Sequence, residues 1–102
     1  MDLSESQKKY LRGRGHALKP VIQVGDKGLT EALLAEYESA LSHHELIKVR
    51  VRAGDREARD AMINTLCADH GAALIQRIGN IALVYRANPD KKPEKKLRIP
   101  SR

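Results

Sequence analysis

From Leu29 to about Ser42 the apolar positions Leu29, Ala32, Leu33, Tyr37, Ala40 and Leu41 recur at intervals of three and four. That period places them on one face of a helix, with Glu31, Glu36 and Glu38 mostly off it. The pattern then changes: Ile47, Val49 and Val51 alternate with Lys48, Arg50 and Arg52. A period of two predicts a strand with one apolar and one cationic face. Ala58, Ala61, Met62, Thr65 and Leu66 predict a further helix from about Arg56 to His70, with Asp55 as N-cap and Gly71 just past its end. Val21–Val24 reads as a short strand. Residues 73–78 and 81–86 read as two more, joined at Gly79-Asn80 in a tight hairpin turn. At the start of the chain, Ser4 and Gln7 have capping-box spacing, which predicts a first helix ending at Gly13–Gly15. Pro20 keeps Lys19 extended.

The predicted order is α-β-α-β-α-β-β. Strand–helix–strand units imply parallel pairing, and the closing hairpin adds an antiparallel pair. A single α/β domain with a mixed four-stranded sheet follows, with the second and third helices on one face. Residues 1–87 carry this pattern. Beyond Asn88 it stops, and Pro89, Pro93 and Pro100 interrupt a lysine-rich stretch. Residues 88–102 are expected to form a basic, flexible tail.

Composition changes the picture in three ways. The 102 residues hold neither Trp nor Phe, so Leu, Ile, Val and Ala must fill the core. The net charge is +6, and it gathers at both ends of the chain: six Lys/Arg face three acids in residues 1–30, and six face two in residues 88–102. Such a balance favours a polyanionic partner, either nucleic acid or an acidic membrane surface. A single cysteine, Cys67, permits no internal disulfide and suits an intracellular protein. No stretch reaches transmembrane length and the start lacks signal-peptide character, so a cytoplasmic protein is expected.

The residues offer little to an enzyme. A nucleophile elbow is missing, and Gly25–Thr30 does not match a phosphate-binding GxxxxGK[ST] loop. His43-His44 lacks the spacing of a metal pair, and histidines near a helix end are favoured by the dipole alone. No catalytic residue, cofactor, metal or small-molecule substrate is expected. The loop Gly25-Asp26-Lys27-Gly28 is different. It joins a strand to a helix start, where unpaired amides and the helix dipole favour an anion, glycine lets backbone approach closely, and Lys27 adds a full charge. This is how a GxxG loop clamps a nucleic-acid backbone. On spacing alone, an ordinary turn fits the same residues. Lys48, Arg50 and Arg52 line one side of a strand, where they could track phosphates or form a plain solvated face. Lys8, Lys9, Arg12 and Arg14 make the first helix cationic, Lys19 lies beside the first strand, and Arg77 and Arg86 sit in the closing hairpin. The only aromatics are Tyr10, Tyr37 and Tyr85, so recognition is expected to lean on phosphates and shape rather than on stacked bases.

The stretch from Leu11 to Thr30, with Leu11-Arg12-Gly13-Arg14-Gly15 and Val24-Gly25-Asp26-Lys27-Gly28, resembles the CRM domain (chloroplast RNA splicing and ribosome maturation). His44–Val49 and Ile78–Arg86 match it as well, so the resemblance spans about residues 3–87. A stand-alone copy is similar to the bacterial YhbY-type proteins. The resemblance implies an RNA-binding module whose core is like the C-terminal domain of translation initiation factor three. It also implies that Gly25–Gly28 contacts RNA, and that the partners are large-subunit ribosomal RNA and precursors of the large subunit. The expected function is therefore to grip RNA and assist large-subunit assembly. The alternative is a protein–protein interaction module on the ribosome or its assembly enzymes, without direct RNA contact.

Overall fold

The computed structural model describes residues 2–101. Helix α1 spans Glu5–Gly15, strand β1 Pro20–Val24, helix α2 Glu31–His44, strand β2 Leu46–Val51, helix α3 Arg56–Ala68, strand β3 Ala73–Ile78 and strand β4 Ile81–Tyr85. The order of elements is the expected one. The four strands form one mixed sheet in the order β1-β2-β4-β3. β1 and β2 are parallel, and β4 is antiparallel to both β2 and β3. β3 therefore does not pair with β2, although α3 links them; β4 enters between. β4 has the reason to be central, because four of its five residues are buried, whereas Leu74 and Ile78 on β3 stay exposed. Gly79 takes φ +59 at the first turn position, which explains why Gly precedes Asn here.

Two apolar clusters lie on opposite faces of the sheet. The larger joins Ile22, Val24, Ile47, Val49, Val51, Ala82 and Val84 to Tyr37 and Leu41 of α2 and to Ile63 and Leu66 of α3. The α3 stripe is thus centred on Ile63 and Leu66, while Ala58, Ala61 and Thr65 are exposed. The smaller cluster packs Leu11 of α1 on Leu46, Ile75, Leu83 and Tyr85. Helix α1 has its expected capping box, with the Ser4 amide donating to Gln7 Oε1 at 3.0 Å and the Gln7 amide to Ser4 Oγ at 3.2 Å. It does not stop at Gly13 but continues to Gly15, which is buried. A Cβ on Gly15 would lie 2.5 Å from Leu83 Cδ2, so glycine here permits close helix-on-sheet contact.

The segment after Asn88, expected to be a flexible basic tail, packs on the fold. Leu97 and Ile99 pack on the smaller cluster, and a short 3-10 turn spans Pro93–Lys95. Gln7 Nε2 donates to the Pro100 carbonyl at 2.8 Å. The anchor is Glu45, buried at the α2–β2 junction with φ 65. Its carboxylate accepts from the Asn88 amide at 3.0 Å and the Leu97 amide at 2.9 Å, and Lys91 Nζ lies 3.2 Å away. Burial by itself would raise this carboxyl's pKa, but the two amides and the ammonium outweigh it and hold the pKa below the usual range.

Gly13 and Gly15 separate helix propensity from packing. Nothing lies within 4 Å of a Cβ placed on Gly13, so Gly13→Ala should stabilise the protein by roughly 0.5–1 kcal/mol. Gly15→Ala should instead destabilise it by roughly 1–3 kcal/mol, because Leu83 is fully packed and must move. Urea denaturation of both variants checks the pair; equal effects would remove the close-approach argument.

Candidate nucleic-acid interface

The Gly25–Gly28 loop follows β1 and turns through a bond from the Gly28 amide to the Gly25 carbonyl at 3.0 Å. Gly28 needs its glycine, with φ +71. Gly25 does not: its φ is outside the left-handed range and nothing surrounds a Cβ placed there. Helix α2 begins at Glu31 rather than Leu29, and Thr30 caps it by accepting from the Leu33 amide at 3.1 Å. The Thr30 amide is itself bonded to the Gly28 carbonyl. Within the loop, the amides of Gly25, Asp26, Lys27 and Leu29 reach no backbone or side-chain acceptor among the described residues. Asp26 and Lys27 are exposed.

Sheet register brings other candidates to the same end. Val24 pairs with Val51, and the Arg52 amide donates to the Val24 carbonyl at 3.0 Å, which sets Arg52 beside the loop. A cleft lined by Gly25, Asp26, Arg52, Gly54, Ala58 and Met62 opens there. Lys48 and Arg50 point to the sheet face that α1 covers only in part; Leu46, on that same face, lies beneath Leu11. The Gly79-Asn80 turn closes the same end, its Asn80 carbonyl accepting from the Val51 amide at 2.7 Å.

The cations divide into two populations. On the helical side of the sheet Arg77 and Arg86 are engaged by acids and carbonyls. Arg77 Nε lies 3.2 Å from Asp60 and its guanidinium donates to the Gly79 carbonyl. Arg56 and Arg59 also lie near Asp60. Arg86 donates to Glu38 at 2.9 Å, to the His70 carbonyl at 3.0 Å and to Ser42 Oγ at 3.0 Å. Arg77 and Arg86 thus brace α2 and α3 against the sheet and do not join the patch foreseen for them. On the other side, among the described residues, no carboxylate lies within 4.0 Å of Lys9, Arg12, Lys19, Lys27, Lys48, Arg50 or Arg52. Lys8 has only an exposed contact to Glu5 at 3.7 Å, and Arg14 bonds the Tyr10 hydroxyl at 3.1 Å.

Cys67 is half-buried against the core, and burial pushes its thiol pKa up, away from a nucleophilic thiolate. Among the described residues no three His, Cys, Asp or Glu side chains converge as metal ligands would. No helix among them is long and apolar enough to cross a membrane.

A GxxG loop between strand and helix, carried on a three-helix, four-stranded mixed sheet, defines a class of small α/β modules. The CRS1/YhbY (CRM) domain model matches residues 3–86, and the chain belongs to that family. A protein of Pseudomonas aeruginosa named as a probable RNA-binding protein is 50% identical over 97 residues, covering 95% of this chain and 91% of its own. A Haemophilus influenzae protein named as RNA-binding is 48% identical over 90 residues, covering 88% and 91%. The solution structure of a Staphylococcus aureus protein matches with a TM-score of 0.76 at 28% identity, covering 97% of this chain and all of that one.

Arg86 and His70 make the helical side pH-sensitive at the acid end. The Arg86 guanidinium first, and then His70 at 2.6 Å, pull the Glu38 carboxyl down to about 2 from its ordinary 4.5. A depressed carboxyl stabilises the fold fully above its ordinary pKa and loses that contribution as pH falls through the folded value. Thermal unfolding between pH 4.5 and 2 should therefore show Glu38→Gln with a flatter pH dependence than the parent; identical curves would refute the coupling.

Proposed function

We propose that this protein binds RNA through the Gly25–Gly28 loop and the cations around it. Large-subunit ribosomal RNA is the proposed target, held in a productive arrangement while the large subunit assembles in the cytoplasm. The observation that carries this reading is the glycine at position 25. The fold makes no use of it, because the backbone does not require glycine and a side chain would have room. Its value lies in leaving the backbone bare toward solvent, where the free Asp26, Lys27 and Leu29 amides can donate to phosphate oxygens. Lys27 and Arg52 supply charge at the loop, and the Asp26 carboxylate can accept from a ribose hydroxyl. Lys48, Arg50, Lys19 and the α1 cations Lys8, Lys9, Arg12 and Arg14 extend the positive surface. The names of the relatives support RNA as the partner class. The work proposed is positional and involves no covalent step.

Lys27→Glu and Gly25→Ala test the loop directly. Both residues are exposed and make no packing contact on which the fold relies, so their melting temperatures should match the parent. Binding to large-subunit ribosomal RNA should weaken in both, and the slope of log K against log salt should become shallower by about one for Lys27→Glu. Filter binding across a salt series measures this; parental affinity in both variants would remove the loop from the interface.

A further inference from the structure

The part of the sheet that α1 leaves uncovered is not a uniform cationic face. Register sets it out in two tiers. In one, Lys48 of β2 stands beside Leu83 of β4, which stands beside Gln76 of β3; in the next, Arg50 stands beside Ile81, which stands beside Ile78. Each tier thus begins with a cation and has an aliphatic side chain at its centre. The α1 terminus walls one side, giving a cavity of about 180 Å³ lined by Gly15, His16, Lys48, Gln76, Ile78, Ile81 and Leu83. Ile78 is 66% exposed, a large apolar side chain left in water on an otherwise polar rim. Neither Lys48 nor Arg50 has a carboxylate partner among the described residues. Among the described residues the Gln76 side-chain amide has no hydrogen-bond partner.

We propose that this cavity accepts a single unpaired nucleobase of the bound RNA, a base-reading site separate from the loop that grips the backbone. Size, chemistry and charge agree on that occupant. A cavity of about 150 Å³ with apolar walls takes one benzene ring, so 180 Å³ suits one six-membered aromatic ring with its substituents. Ile78 and Ile81 offer the apolar contact that a base face needs, above a floor formed by Leu83, which Gly15 and Leu11 leave only 2% exposed. The Gln76 amide presents one acceptor and two donors to a base edge, and His16 stands at the rim. Lys48 and Arg50 sit where the flanking phosphates of an extruded nucleotide would lie, and their free charges disfavour a neutral apolar occupant. Aliphatic walls take over the role that exposed aromatics play on other RNA-binding sheets. The inference rests on RNA binding by this protein, and adds recognition of an unpaired base to a grip that reads only the chain.

The test compares two single-stranded RNA hexamers of equal charge, one complete and one with an internal abasic nucleotide. It is read by methyl NMR on the full-length protein. The complete hexamer should move the Ile78, Ile81 and Leu83 methyls upfield through the ring current of the base and bind about tenfold more tightly than the abasic one, the scale expected of one stacked base. Ile78→Ser and Gln76→Ala should abolish that difference, while Lys27→Glu should weaken both hexamers alike. Equal affinity for the two hexamers with unmoved methyls would overturn the base site and leave the backbone grip standing. Binding of neither hexamer nor ribosomal RNA would overturn both. Methyl shifts produced by an acidic peptide, and by neither hexamer, would assign the face to a protein partner and overturn the base site as well.

Discussion

Helix α1 lies on the sheet at the distance set by Gly15 and Leu83. A β-carbon at position 15 would sit 2.5 Å from the leucine methyl, so the helix end meets β4 as bare backbone. That contact decides what the outer face of the sheet can do. Leu11, one turn earlier, covers Leu46, Ile75 and Tyr85 and completes a second small core. Past Gly15 the chain turns away, and Lys48, Arg50, Ile78 and Ile81 remain uncovered. On the opposite face α2 and α3 together cover the central strands and leave only the β3 edge at Leu74 exposed. One sheet thus has a closed side that supplies stability and a half-open side that faces outward.

The charges follow the same division, for a physical reason. A cation on the closed side must share a crowded, partly desolvated surface and is stable there only with a partner. Asp60 and Glu38 provide those partners to Arg77 and Arg86. On the open side and around the Gly25–Gly28 loop water solvates the cations, and among the described residues only Lys8 has a carboxylate within 4.0 Å, that of exposed Glu5. The result is a positive surface whose charge is available to an external anion. Screening by salt would weaken that attraction steeply, since it acts at exposed sites.

Local pattern carried the element order well, because helix and strand periods are properties of neighbouring residues. The alternation from Ile47 to Arg52 and the capping box at Ser4 and Gln7 appear in the structure as written in the chain. Where tertiary contacts decide, the sequence was silent. Alanines tolerate either side of a helix, so Ala58 and Ala61 read as part of a stripe in which Leu66 is buried as expected but Ile63 takes their place. Arg86 reads as available in the chain because its partner Glu38 lies 48 positions away. The terminal segment looked loose because its anchor, Glu45, lies 43 and 52 positions from the amides it binds. A buried acid at φ 65 leaves no local trace beyond a lone Glu between a helix and a strand.

Of the candidate RNA contacts, the loop was the most legible and the uncovered sheet the least. Gly25-Asp26-Lys27-Gly28 announces itself because its chemistry is contiguous in sequence. The cavity beside Gly15 draws on α1, β2, β3 and β4, and no window of the sequence contains it. The absence of Phe and Trp pointed toward phosphates and shape, on the assumption that a base needs an aromatic platform. Leu83, Ile81 and Ile78 weaken that assumption: a base face is apolar, and aliphatic walls with a free amide at the edge meet its requirements as well. The arrangement separates two tasks. On the proposed reading, backbone donors with Lys27 and Arg52 at the loop would hold any ribose-phosphate chain, whereas the walled pocket on the sheet would discriminate by what it can enclose.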